Sequence, residues 1–141
     1  MPTRTADAEW TGTITEGEGR MRLGSGAFEG RYDFRTRMED SPGTNPEELI
    51  GAAHAGCFSM ALSAQLTGAG FKPESIRTKA TVNFTKAASG WTIDRIDLST
   101  EASVPGISPD DFQAKAQDAK KNCPVSRALT GVEIGLEARL V

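Results

Sequence analysis

Residues Gly43–Gly70 read G-T-N-P-E-E-L-I-G-A-A-H-A-G-C-F-S-M-A-L-S-A-Q-L-T-G-A-G and predict a long buried helix. Asn45 is a favoured N-cap, Pro46 fits the first helical turn, and Glu48 lies at capping-box spacing from Asn45. From Leu49 to Leu66 almost every residue is apolar or small, on all sides of the helix. A helix of this composition lies inside a domain or in a membrane.

The membrane alternative is the weaker of the two. A bilayer requires about 20 predominantly apolar residues, whereas this run is shorter and is interrupted by polar residues. These are His54, Ser59, Ser63 and Gln65. The small residues at 51–53 and 55–56 indicate instead that another backbone approaches the helix closely. We therefore expect a central helix over Pro46–Leu66 that is enclosed by a sheet or by a second subunit.

Length and composition predict one domain, residues 1–141, with enough chain to form a core. The 16 basic and 19 acidic residues give a net charge of −3, which does not favour nucleic acid as a partner. The first residues contain no apolar segment of signal-peptide type, so we expect a cytoplasmic protein that is not bound to a membrane. In the cytoplasm, two cysteines are more often reactive or packed thiols than a structural disulfide.

The residues around the central helix predict an α+β fold, mostly antiparallel, with the element order β-β-β-α-β-β-α-α-β. The predicted strands are Glu9–Thr15, Arg20–Leu23, Arg31–Met38, Ser75–Lys86, Trp91–Ser103 and Val132–Leu140. Three strands before the helix suggest a meander, and Arg31–Met38 alternates so as to place arginines on one face. Ser108 caps a second helix, and Pro124 can begin a short third one.

The two cysteines have different local settings. Cys57 lies in the middle of the central helix, so a reactive thiolate there would need a cation from elsewhere, and otherwise it is a small packed residue. Cys123 precedes Pro124 near a helix start, where backbone N–H groups favour a thiolate, and by local physics alone it is the better nucleophile. One histidine cannot complete a four-ligand Cys/His zinc site within one subunit, so we expect no metal.

Three further side chains are candidates for the same site. His54 lies three residues before Cys57 on the same helix face; it is either a base for the thiol or, more commonly, a hydrogen-bonded core residue. Arg37 could supply the cation for Cys57, with Glu47 holding the arginine, although each is otherwise a surface charge. Glu47 lies about 15 Å from Cys57 along a straight helix. It can serve that sulfur if two antiparallel helices of a symmetric dimer bring each helix start to the middle of the other.

The chain resembles the OsmC/Ohr family of bacterial thiol peroxidases, and the OsmC branch in particular. The block G-T-N-P-E-E-L-I-G-A-A-H-A-G-C-F-S-M-A-L around Cys57 resembles the first cysteine block of that family. N-C-P-V-S-R-A-L around Cys123 resembles the second, and V-P-G-I upstream of it also matches. The histidine before Cys57 places the chain nearer OsmC than Ohr.

This resemblance implies an intertwined homodimer with two active sites at the subunit interface. The implied substrates are organic hydroperoxides, and hydrogen peroxide is a further candidate. Cys57 matches the cysteine that attacks the peroxide, and Cys123 matches the one that resolves the product as a Cys57–Cys123 disulfide. Arg37 matches the arginine of the family, with Arg35 ranked second, and Glu47 matches its glutamate. The implied reductant is an external dithiol, of lipoyl or small-thiol type, and no cofactor is expected.

Two other functions fit the same residues. One is a binding module of the same fold, in which an apolar ligand is held and the cysteines are inert. The other is a redox sensor that passes its oxidation to a partner. Phe58 and Met60 could line a pocket for an alkyl peroxide beside Cys57, although ordinary core packing explains them equally well. The presence of both cysteines together with Arg37 favours the enzyme over the binding module.

Overall fold

The computed structural model describes all residues, Met1–Val141, and contains six strands and four helices. Contacts within the chain divide it into two compact units, Met1–Leu49 and Ile50–Val141. The strands form two three-stranded sheets, one in each unit. The predicted α+β class is therefore confirmed.

The first unit contains an antiparallel meander, as the sequence predicted. Its strands are β1 (Ala6–Thr11), β2 (Glu18–Leu23) and β3 (Glu29–Tyr32). β2 lies in the centre and pairs antiparallel with both neighbours. The rings of Trp10 and Tyr32 pack over Gly19 in β2, where an added Cβ would lie 2.5 Å from the Tyr32 ring. The absence of a side chain at Gly19 thus lets the two aromatic residues cover the sheet.

The predicted strand over Arg31–Met38 is wrong beyond Tyr32, because helix α1 occupies Phe34–Met38. Asp33 Oδ1 accepts a hydrogen bond of 2.8 Å from the Thr36 N–H, and Thr36 Oγ1 accepts one of 2.9 Å from the Asp33 N–H. This reciprocal capping box satisfies two backbone donors at the helix start. Its local hydrogen bonds outweigh the alternating pattern, so the predicted basic strand face does not form.

Helix α2 spans Pro46–Gly68, which confirms the predicted central helix and extends it slightly. Asn45 Oδ1 accepts a hydrogen bond of 2.7 Å from the Glu48 N–H, while Asn45 Nδ2 donates to Glu48 Oε2 at 3.4 Å. Glu47 and Glu48 lie in the first turn, where negative charge interacts favourably with the helix dipole. The start of α2 is therefore specified by its own sequence.

The second unit contains the strands β4 (Ser75–Ala87), β5 (Gly90–Ser103) and β6 (Glu133–Leu140). β4 and β5 form the predicted antiparallel hairpin, whereas β6 pairs parallel with β5. A parallel pair requires a long crossover connection. Helices α3 (Pro109–Asn122) and α4 (Pro124–Ala128) provide it.

The core of the second unit lies between α2, α3 and this sheet. Its most deeply buried apolar residues are Phe58, Leu62, Leu66, Ile96, Leu98, Ala102, Phe112, Ala116 and Ala119. α2 contributes Phe58, Leu62 and Leu66 from one face. Burying a side chain of this size contributes roughly 1.5–3 kcal/mol, so this face alone accounts for several kcal/mol of stabilisation.

The other face of α2 is exposed although it is apolar. We call it the exposed α2 face; its residues are Ala52, Ala53, Gly56, Met60 and Ala64. With its length and a mean hydropathy of 1.3, α2 is also long and apolar enough to cross a membrane. Of its most apolar segment, 28% is buried inside the protein. Core helices of soluble proteins can have the same length and hydropathy. The polar His54 and Ser59 of α2 are hydrogen-bonded within the second unit.

Candidate active site

The two cysteines, far apart in the sequence, meet where α2 contacts the start of α4. Both are free thiols, and Cys57 Sγ lies 2.8 Å from Cys123 Sγ. Cys57 comes from the middle of α2, while Cys123 ends α3 and caps α4. A disulfide needs a separation of about 2.05 Å, so a small movement suffices to join the two sulfurs.

Local sequence favours Cys123 as the nucleophile, but its burial in the structure argues against that role. Cys123 is fully buried, whereas Cys57 is partly exposed. A substrate from solution can therefore reach Cys57 first. Cys57 is thus the more accessible of the two thiols.

The surroundings of Cys57 favour the thiol over the thiolate. Burial is the main factor that raises the pKa of Cys57, and the neighbouring sulfur of Cys123 raises it further. The backbone N–H of Val125 in α4 opposes this by lowering the pKa, without reversing the shift. Because the thiolate is the reactive form, these surroundings by themselves do not activate Cys57.

Arg37 and Glu47 form an ion pair within the first unit. Arg37, from the last turn of α1, donates to Glu47 Oε1 from Nε at 2.8 Å and from Nη2 at 2.7 Å. Glu47 is buried at the start of α2, and its Oε2 has no hydrogen-bond partner. The Arg37 side chain is 41% exposed. The Glu47 carboxylate thus holds the guanidinium of a half-exposed arginine side chain.

Arg35, the second-ranked arginine, has a different partner. Its Nε lies 3.7 Å from Glu39 Oε2, and its side chain is 71% exposed. Such surface pairs contribute about 0–1 kcal/mol and are screened by salt. The contact to Glu47 is thus made by Arg37.

His54 occupies the position of a hydrogen-bonded core residue, one of the two alternatives that the sequence left open. It is fully buried, and its Nε2 lies 2.7 Å from Ser126 Oγ in α4. Burial lowers the pKa of His54, which favours the neutral ring. Sequence reasoning missed Ser126, although it follows Cys123 by three residues and a helix start at Pro124 would place both on one face.

Comparisons with known proteins cover nearly the whole chain. Residues 38–137 match the family described as OsmC-like protein, a range that contains Glu47 and both cysteines and begins directly after Arg37. Peroxiredoxin OsmC of Escherichia coli (strain K12) is 49% identical over 134 residues, which cover 94% of this chain and 93% of that protein. Organic hydroperoxide resistance protein OhrA of Bacillus subtilis (strain 168) is 30% identical over 99 residues, covering 67% and 66%.

Solved structures share the fold at lower identity. The organic hydroperoxide resistance protein OhrB of Bacillus subtilis superposes with a TM-score of 0.75 at 24% identity, covering 95% of this chain and 97% of that one. An OsmC-like protein of unknown function from Vibrio cholerae superposes with a TM-score of 0.77 at 16% identity, covering 98% and 99%. This chain therefore shares its arrangement of sheets and helices with both of these proteins.

Proposed function

As a member of the OsmC family, this chain is a thiol-dependent peroxidase of hydroperoxide defence, and we propose that Cys57, Cys123, Arg37 and Glu47 carry its reaction. The single observation that carries the proposal is the 2.8 Å separation of the Cys57 and Cys123 sulfurs. A ligand-binding module with inert cysteines has no need of such a pair, and the relatives do not favour that alternative. We propose organic hydroperoxides as the main substrates, as the names of the Ohr relatives suggest.

In the first step, the Cys57 thiolate attacks the terminal oxygen of the hydroperoxide. A sulfur–oxygen bond forms and the oxygen–oxygen bond breaks, so that Cys57 becomes a sulfenic acid and the alkoxide leaves as an alcohol after taking a proton. Negative charge develops on the leaving oxygen. A positioned guanidinium stabilises this charge in the transition state.

In the second step, the Cys123 thiol attacks the sulfenic sulfur of Cys57. The sulfur–sulfur bond forms while the sulfur–oxygen bond breaks, and the hydroxide leaves as water with the thiol proton. An external dithiol then reduces the disulfide by exchange and restores both thiols. We propose a lipoyl-type dithiol for this role and a cytoplasmic site of action, where such reductants are kept reduced.

Arg37 supplies the cation in this proposal, and Glu47 orients it. Because Glu47 and Cys57 belong to one continuous helix, about 15 Å separate them along its axis. We therefore propose a homodimer in which the Arg37–Glu47 pair of one subunit serves the Cys57 thiol of the other.

The exposed α2 face is the surface that we propose for this dimer. From Ala53 onward its residues recur every three to four positions, and most are small, so two helices can approach closely there. Met60 on this face is 79% exposed, and contiguous exposed apolar surface marks interaction sites. A second copy of α2, crossing antiparallel, would cover it and bring each helix start towards the middle of the other.

Thiol titration with cumene hydroperoxide tests the function. One equivalent per chain should remove two titratable thiols, and dithiothreitol should restore both. Intact mass should show an internal disulfide rather than a cross-linked dimer. Full retention of both thiols would contradict the proposal and leave an apolar-ligand module as the explanation of the fold.

A further inference from the structure

A second polar contact joins α2 to α4 beside the two cysteines. His54 Nε2 and Ser126 Oγ are 2.7 Å apart, and both side chains are buried. His54 precedes Cys57 by three residues, whereas Ser126 follows Cys123 by three. The two contacts therefore lie about one helical turn apart in antiparallel register, with His54 opposite Ser126 and Cys57 opposite Cys123. We call the contact between His54 and Ser126 the His54–Ser126 clamp.

Core stability alone does not explain a histidine at this position. Burying a polar ring is unfavourable unless its nitrogens are hydrogen-bonded, and His54 Nδ1 is buried without a partner. An apolar side chain of similar volume would avoid this penalty, as do Phe58 and Leu62 on the same helix. The contact that the histidine does make is directed at α4, the segment that carries Cys123.

Local interactions hold α4 weakly. It has five residues, and its N-cap Cys123 makes no side-chain capping hydrogen bond. The contact between the two sulfurs cannot hold the segment throughout the cycle, because it changes when Cys57 gains an oxygen and again when the disulfide forms. The His54–Ser126 clamp takes no part in either bond change, so it can hold α4 in place through both.

We propose that His54 and Ser126 are positioning residues of the resolving step, which hold Cys123 against Cys57 by fixing α4 to α2. This inference rests on the proposed peroxidase cycle. The step itself joins Cys123 to the sulfenic sulfur of Cys57 and releases water, with no net proton change on His54 or Ser126. Misplacement of a reacting group by about 1 Å can slow a reaction about 100-fold, so loss of the clamp should be visible in the rate.

A competing reaction reports on this positioning. While the sulfenic acid of Cys57 waits for Cys123, a second hydroperoxide molecule can oxidise it to the sulfinic acid. The ratio of disulfide to sulfinic acid therefore measures how soon Cys123 arrives. A purely structural loss, which unfolds a fraction of the chains, would lower the active amount without changing this ratio in the folded ones.

The test compares four variants of the full chain with the wild type: Ser126→Ala, His54→Ala, His54→Gln and, as a matched control, Ser59→Ala. Ser59 lies on the same helix, and its Oγ makes an equally short contact of 2.7 Å with Thr78 in β4. The control thus removes a comparable hydrogen bond that does not reach α4. His54→Gln retains an amide that can replace the Nε2 contact.

Reduced protein is mixed with excess cumene hydroperoxide, and intact mass is followed over time. Ser126→Ala and His54→Ala should form the disulfide about tenfold more slowly and accumulate sulfinic acid, while Ser59→Ala matches the wild type and His54→Gln recovers part of the rate. A disulfide rate for Ser126→Ala within about twofold of the wild type overturns the inference. Should His54→Ala fail to fold, Ser126→Ala decides alone.

A second measurement separates this inference from the proposed function. The equilibrium between the Cys57–Cys123 dithiol and its disulfide in a dithiothreitol redox buffer involves no peroxide. Loss of the clamp should shift this equilibrium about tenfold towards the dithiol in Ser126→Ala, and not in Ser59→Ala. If the wild type does not react with hydroperoxide but Ser126→Ala shows this shift, the peroxidase function is refuted and the clamp is retained. If the wild type is active but Ser126→Ala shows no shift, the clamp is refuted.

Discussion

The two pairs of the candidate site differ in almost every physical property. Cys57 and Cys123, in the second unit, form a largely buried pair of free cysteines in which the pKa of Cys57 is raised. Arg37 and Glu47, in the first unit, form an ion pair in which the arginine side chain is half-exposed. Burial and the neighbouring sulfur dominate the electrostatics of the thiol pair, whereas the Arg37–Glu47 contact is a pairing of opposite charges.

In the proposed mechanism, the nucleophile and the cation that activates it therefore come from separate parts of the chain. Each pair needs an environment that would be unfavourable for the other pair. A thiol pair protected from over-oxidation benefits from burial, whereas an unneutralised cation in the same dry core would be strongly unfavourable. The proposed dimer joins the two properties at assembly, and the experiments below break one pair at a time.

Removal of the thiols should have the largest effect. Cys57→Ser should abolish hydroperoxide consumption, because no other exposed thiol exists in the chain. Cys123→Ser should consume one equivalent and stop at the sulfenic acid of Cys57, or consume a second equivalent and stop at the sulfinic acid. Peroxide assays with intact mass detection distinguish the two. Continued turnover by Cys57→Ser would remove the thiol pair from the mechanism.

Removal of the cation should have the next largest effect. Arg37→Ala should lower kcat/KM by about 10²–10³-fold and raise the pKa of Cys57, which moves the rate–pH profile to higher pH. Arg35→Ala is the control, because Arg35 pairs with Glu39 on the surface, and its rate should stay within about twofold of the wild type. An unchanged pH profile in Arg37→Ala would show that the ion pair does not activate Cys57.

Separation of the subunits should leave both pairs intact and still weaken catalysis. In one chain, a Cβ at Gly56 on the exposed α2 face meets no atom within 4 Å, so Gly56→Leu should fold normally and clash only across the proposed interface. We expect a monomer by light scattering and at least about a tenfold loss of activity. Gly68→Leu, equally open at the end of α2, is the control. A wild type with the mass of one chain would exclude the dimer.

Acidification should have the smallest effect, and it tests the uncharged character of the second unit. Because burial lowers the pKa of His54, the unfolded chain binds a proton below about pH 6.5 that the folded chain resists. This contribution to stability is present above pH 6.5 and is lost as the pH falls. Urea unfolding at pH 7.5 and 5.5 should show a loss of up to about 1 kcal/mol in the wild type. His54→Gln should lack this part of the pH dependence.

The two helices that follow β3 show where sequence reasoning succeeded and where it failed. The start of α2 was predictable because Asn45, Pro46 and Glu48 act on neighbouring backbone groups, and those contacts are the ones observed. The same kind of local signal was present at Asp33 and Thr36, but an alternation of apolar and charged residues obscured it. Periodicity over a short segment is weaker than a capping box that satisfies two backbone donors.

The sequence by itself determined the α+β class, the central helix and the choice of the two cysteines as candidate reactive residues. Helix caps, apolar runs and reactive side chains can all be recognised from neighbouring residues. Tertiary structure alone decided that Cys57 meets Cys123 and His54 meets Ser126. It also decided that the surroundings of Cys57 raise its pKa. Contacts between residues far apart along the chain, and the burial that shifts a pKa, exist only when the core has packed.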